Sequence, residues 1–238
     1  MKARALFQEG RLDEAVELLN EELRSNPTDK QLRVFLFELL CFQGSYDRAE
    51  KQLDIVARGG PDAALGALLY RSALHGERTR QTMFEERDFP GNAAEVRPPS
   101  GILNGTPFES LSDADPRIGA RFEIIAAGQY TWMPMNQVAS LTMAAPKQLR
   151  DLMWAAGALL TAPDFQGEDL GEVLLPVMSP LSWQDADDNV RLGRVTEWVD
   201  WGAGMEVPLG QKMWLVDGEE IPLLEVRELV ITPAESSD

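Results

Sequence analysis
Residues 33–54, RVFLFELLCFQGSYDRAEKQLD, constrain this chain more than any other stretch, because they hold two amphipathic helices separated by one glycine. The spacing predicts a first helix over roughly 29–43, with Leu32, Phe35, Leu36, Leu39 and Leu40 at helical intervals and Gly44 as its stop. A second helix starts near Asp47 and turns Ala49, Leu53 and Val56 inward. The unit recurs. Gly10 and Gly44 stand 34 residues apart, and the same offset relates Leu12 to Tyr46, Asp13 to Asp47, Ala15 to Ala49, Leu19 to Leu53 and Pro27 to Pro61.

That period belongs to the tetratricopeptide repeat, a helix pair that buries its apolar face only by stacking on neighbours. The third copy is incomplete, since the offset demands a glycine at position 78 and Arg78 stands there. The pattern therefore predicts a fifth helix over 61–76, with Leu65, Leu68 and Leu69 on one side, and a short capping helix over 79–86. In such a stack the first helix of each pair lines the concave face. The register of Gly10 and Gly44 then places Arg4, Phe7, Gln8, Gln31, Val34, Glu38, Cys41 and Phe42 in the groove, and the partial third repeat adds Ala67, Arg71 and Leu74. These residues form the expected partner-binding surface, an apolar floor with charged sides that suits an amphipathic helix.

Beyond the repeats the composition changes twice. Residues 89–116 carry Pro90, Pro98, Pro99, Pro107 and Pro116 with several glycines, which forbids a helix and disfavours a long strand. Ile102, Leu103, Phe108 and Leu111 mark this segment as an ordered connector. From 117 on, alternation takes over. Strands are expected at 121–126, 130–135, 138–143, 155–161, 172–177, 211–216, 219–224 and 225–231, with a brief helix at 146–152. Asp217-Gly218 signals a two-residue hairpin turn. The expected fold is α+β: a tetratricopeptide-like helical domain over 1–88, the connector over 89–116, and a β-rich domain over 117–238, joined but separable.

Charge and composition exclude several functions. The net charge of −17 is concentrated late: 13 basic residues face 16 acidic ones through residue 90, and 9 face 23 afterwards. Such a body is repelled by nucleic acid and by anionic lipid. No stretch reaches the roughly 18 apolar residues of a membrane span, and the first residues show no secretory signal. The single cysteine, Cys41, rules out an internal disulfide and sits among apolar neighbours that protect a thiol. No cofactor is expected, and one cysteine with one histidine cannot make a transition-metal site of those ligands.

Catalytic chemistry finds little support. His75 has no nucleophile motif beside it. Asp113 with Asp115, and Asp185 with Asp187 and Asp188, lack the alternation of a calcium loop and read as solvated loops, the first pair forming an Asx turn before Pro116. Gly202 and Gly204 lack the strand-to-helix context of a phosphate loop. All six tryptophans, Trp132, Trp154, Trp183, Trp198, Trp201 and Trp214, fall in the β-rich part, where they build either a core or a binding face.

Read along its whole length, the chain resembles the ImpE family, also called TagJ or SciE, accessory proteins of bacterial type VI secretion. The resemblance rests on RVFLFELLCF at 33–42, RAEKQLD at 48–54, DADPRIGARFE at 113–123, YTWMP at 130–134, RLGRVTEW at 191–198, GQKMWLVDGEE at 210–220 and IPLLEVREL at 221–229. It implies a cytoplasmic, non-enzymatic adaptor that binds a helix near the N-terminus of the sheath small subunit and is linked to the ClpV-type ATPase that disassembles the sheath. Two other readings stand beside it: a repeat-containing regulator or chaperone-like factor of another complex, and an enzyme using Asp185, Asp187 or Arg191 in the β-rich domain.

Overall fold
The computed structural model describes residues 2–90, 96–167 and 170–233. Its helical part is a stack of antiparallel helices: α1 (Lys2–Gln8), α2 (Leu12–Ser25), α3 (Lys30–Phe42), α4 (Tyr46–Val56) and α5 (Pro61–Glu86). The repeat glycines do what the pattern requires. Gly10 and Gly44 take φ of +78° and +67°, the left-handed region that ends α1 and α3 without a Cβ penalty. Ala15 and Ala49, the paired small residues, are fully buried. Asp29 caps α3 by accepting from the amides of Gln31 and Leu32.

The fifth helix departs from expectation. A break at 76–79 was predicted, yet α5 runs for 26 residues without interruption. With arginine in place of glycine at 78 nothing stops it. Arg78 instead reaches back to Asp47 at 3.0 Å and Glu50 at 2.8 Å on α4. The helix ends at Arg87, whose left-handed φ of 58° closes the last turn.

The second half is built on an eight-stranded antiparallel sheet in the order β2-β1-β13-β6-β7-β8-β4-β5. Its strands are β1 (Gly101–Leu103), β2 (Thr106–Phe108), β4 (Arg121–Ala126), β5 (Gln129–Pro134), β6 (Val138–Met143), β7 (Trp154–Thr161), β8 (Gly171–Pro176) and β13 (Glu228–Ile231). A three-stranded sheet joins β3 (Leu111–Asp113) to β11 (Met213–Val216) and β12 (Glu219–Pro222). A separate hairpin pairs β9 (Glu197–Gly202) with β10 (Met205–Leu209). The short helix α6 (Asp188–Arg191) precedes it. Asp217 and Gly218, at φ of 53° and 87°, make the expected tight turn between β11 and β12.

Three strands lie inside the segment expected to connect two domains. β1 pairs with β13, so the connector closes the main sheet against the chain's last strand. Residues 234–238 and part of the connector, 91–95, lie outside the described residues. The helix expected at 146–152 is a 3-10 turn at Leu149–Leu152. The glycine pair Gly202 and Gly204 serves the β9–β10 turn, with φ of 97° and 76°.

The two halves meet in one apolar cluster, while the sheet keeps a second cluster of its own. Phe37, Leu40 and Cys41 of α3 and Ala73 and Leu74 of α5 pack in the same apolar cluster as Ile125, Met153, Trp154 and Met178. Gly76 admits Ile125 of β4 so closely that a Cβ there would lie 2.8 Å from its side chain. Below this contact a buried charge network ties α5 to the sheet. Arg80, fully buried, donates to both oxygens of Glu123 at 2.8 and 3.0 Å, to Glu77 at 3.0 Å and to the Met178 carbonyl at 2.9 Å. Lys212 completes it, 2.6 Å from Asp113 and 2.7 Å from Glu123. Trp154 donates to Glu77 at 3.1 Å, and Tyr130 donates to Glu123.

Candidate functional site
Six of the expected groove residues do converge. Arg4, Phe7 and Gln8 of α1 and Gln31, Val34 and Glu38 of α3 line one open cavity of about 600 Å³. A third wall comes from the second half of the chain, residues Lys147–Arg150. That wall is fixed in three ways. The Asp151 carboxylate accepts from the amides of Lys147 and Gln148 at 2.8 and 2.9 Å. Arg150 donates to Glu38 at 3.3 Å and its guanidinium stands 5.1 Å from the centre of the Tyr70 ring on α5. Burial pushes the Glu38 carboxyl above its ordinary range, and Arg150 opposes the shift.

The aromatic floor is organised from within. Phe7 meets Phe35 edge to face at 5.9 Å, and Arg4 lies 5.1 Å over the Phe35 ring. Arg194, from the loop before β9, covers Phe7 at 5.1 Å and donates to the Gln8 carbonyl and to the Phe7 carbonyl, which also accepts from the Gly10 amide.

Four expected residues stand elsewhere. Phe42, Ala67 and Leu74 are 1%, 2% and 0% exposed and belong to the core. Arg71 pairs with Asp54 of α4 at 2.6 Å, on the supporting side of the stack. Cys41, placed in the groove on the same register, is likewise buried, and burial drives its thiol pKa well up. Two physical reasons account for this. The second half packs against α3 and α5, so Phe42 and Leu74 fall in one buried cluster with Ile125, Met153, Trp154 and Met178. On α5 the 34-residue offset from Gln31 and Val34 leads to Leu65 and Leu68, not to Ala67 and Arg71. Leu65, Leu68 and Leu69 are 70%, 58% and 50% exposed. Their helical spacing is legible in the sequence, and the offset gives them the positions that Gln31, Val34 and Phe35 hold on α3.

The acidic pairs weighed as cation ligands or catalytic groups are engaged otherwise. Asp113 and Asp115 are buried, not solvated. They do form the Asx turn, accepting from the amides of Asp115 and Arg117 at 2.9 and 3.0 Å. Asp115 holds Arg117 through both oxygens. Asp187 caps α6 through the Asn189 amide, and Asp188 accepts from the Leu12 amide at 2.6 Å, which caps α2 from the other half of the chain. Arg191 bridges Asp188 and Asp13. His75 is exposed on α5. Among the described residues no group of three metal-binding side chains forms, and no helix is long and apolar enough to cross a membrane. The tryptophans divide: Trp154 and Trp214 are core, whereas Trp198 on the β9–β10 hairpin is 37% exposed.

The architecture and the sequence have known relatives. The fold matches the crystal structure of protein VPA1032 from Vibrio parahaemolyticus with a TM-score of 0.86 over 100% of both chains, at 22% identity. Residues 6–71 match the family model described as tetratricopeptide repeat. The chain is 33% identical to the type VI secretion system accessory component TagJ of Pseudomonas aeruginosa strain PAO1, across 99% of its own length and 93% of that protein's. Residues 105–230, which hold β2 to β12 and the Lys147–Arg150 wall of the cavity, match the model described as ImpE protein. A repeat stack carrying this second half across its full length places the chain in the ImpE family.

Proposed function
We propose that the chain is a non-catalytic adaptor of a type VI secretion system, working in the cytoplasm. The groove between α1, α3 and residues 147–150 holds the N-terminal helix of the sheath small subunit, and the bound adaptor helps link the sheath to its ClpV-type disassembly ATPase. The observation that carries this reading is the convergence of Arg4, Phe7, Gln8, Gln31, Val34 and Glu38 on one open cavity. The accessory role in the name of the Pseudomonas relative supplies the system. An apolar floor with polar flanks, on a scaffold held rigid by a second domain, matches helix-in-groove recognition.

Co-expression tests it. The chain co-purifies with the sheath small subunit and loses it when that subunit lacks its N-terminal helix. Equal recovery of the helix-less subunit contradicts the proposal. Sedimentation of the complex with and without the ATPase N-terminal domain then reads the second link.

A further inference from the structure
We infer that the groove is shaped and charged for an acidic amphipathic helix, whose carboxylates meet a basic rim and whose apolar edge continues onto α5. This rests on the adaptor reading of the same groove and adds the chemistry of the occupant. The first observation is charge. In a chain of net charge −17, the cavity is rimmed by Arg4, Lys30, Lys147 and Arg150 against one carboxylate, Glu38, which Arg150 already engages. Cations concentrated on one concave face of an acidic protein select an anionic partner and orient its approach. A nucleic acid fits poorly, because its continuous phosphates would also meet the acidic second half.

The second observation is the repeat offset. Leu65, Leu68 and Leu69 lie 34 residues after Gln31, Val34 and Phe35. Lys30 donates to the Gly59 carbonyl at 3.2 Å, two residues ahead of α5, which ties the start of α3 to the turn that leads into α5. By that offset the three leucines, half or more exposed, take on α5 the repeat positions that Gln31, Val34 and Phe35 take on α3, and they supply the apolar edge of the proposed docking surface beyond the cavity. Leucine at i, i+3 and i+4 gives one apolar strip along a helix face. A helix lying across the groove buries one face on Val34 and this strip while its flank reaches Lys30 and Lys147.

Fluorescence anisotropy with three labelled probes separates the claims. Two are designed amphipathic helices with one leucine stripe, flanked by glutamates in one and lysines in the other; the third is the sheath-subunit N-terminal helix. The glutamate probe binds at least about tenfold tighter than the lysine probe, and the difference shrinks with added salt. Lys30→Glu with Lys147→Glu removes or reverses the preference, and Leu65→Ser with Leu68→Ser weakens the glutamate probe about fivefold or more. All four sites are exposed, so thermal melts should match wild type. Absent binding of the glutamate probe, or equal affinity for both designed probes, overturns the inference. So does a concentration-dependent dimer that Leu68→Ser abolishes, which would give the strip to a second copy. The third probe reads the adaptor proposal alone: its failure to bind sinks that proposal while the designed pair still decides the chemistry.

Discussion
The indole of Trp183 rests on Gly44, so close that a Cβ at position 44 would stand 2.4 Å from the ring. The glycine that turns one repeat unit is thus also the floor on which the second half of the chain docks. Gly44→Ala faces two costs, a left-handed φ of +67° and displacement of a large ring. It should lose about 2–4 kcal/mol in urea unfolding. With Trp183→Leu added, the combined loss should fall well short of the two single losses summed, because the clash disappears. Strict additivity would show that the ring and the turn are independent.

Arg80 makes a second such tie, and its loss should be felt by both halves at once. Arg80→Ala leaves Glu77 buried without its cation and Glu123 with Lys212 alone, a defect costing on the order of 3–5 kcal/mol. Tryptophan fluorescence reports the β-rich half and far-ultraviolet dichroism is weighted to the helices. The shared core predicts one coincident transition in wild type and in the variant. Two separated transitions would restore the separable domains that the proline-rich segment suggests.

The same network has a pH signature. Burial, with the nearby Glu123 and Asp115 carboxylates, raises the Asp113 carboxyl to about 6, while Lys212 opposes the shift. A group whose folded pKa is raised binds its proton better in the native state, so its effect on stability declines as pH climbs from about 4 to about 6. Asp113→Asn removes that decline. The variant should therefore gain on wild type by up to about 3 kcal/mol between pH 4 and pH 7, read from paired denaturation curves. A difference that stays flat across that window contradicts the assignment. Glu123 acts in the opposite sense: Arg80 and Lys212 outweigh its desolvation and lower its pKa, so its contribution is lost as pH falls below the ordinary carboxylate range.

Cys41 should be silent. It is 1% exposed, and burial, reinforced by Glu77 and Glu38, raises its thiol pKa. Ellman's reagent should titrate no thiol in the native protein and one after denaturation. Rapid native labelling would mean that the core around α3 opens.

The helix pairs were legible because their signals are local: glycine at the turn, alanine at the crossing and a fixed offset between copies. β6 was read from alternation alone at its observed bounds, Val138–Met143. What escaped the sequence depends on distant partners. β1 and β2 are three residues each, too short to alternate, and form by pairing alongside β13 at the far end of the chain. The β9–β10 hairpin turns through Gly202-Ala203-Gly204, with an alanine at a φ of 56° that composition does not flag. The groove was half legible. Its α1 and α3 residues follow from the repeat register, but nothing in the period shows that Phe42 and Leu74 share a buried cluster with Ile125, Trp154 and Met178, or that Lys147–Arg150 form a further wall of the cavity.

The central claim is that the groove receives the sheath-subunit helix, and a titration at Val34 tests it most directly. Val34 is part-exposed on the floor between Gln31 and Glu38, so Val34→Arg fills the cavity without opening the core. The labelled sheath-subunit N-terminal helix should bind wild type and lose about 2 kcal/mol, roughly thirtyfold, on Val34→Arg. Trp198→Ala, on the exposed hairpin, should leave the affinity unchanged. Full binding by a folded Val34→Arg protein, with the loss appearing in Trp198→Ala, would move the site to the tryptophan-bearing hairpin and contradict the account.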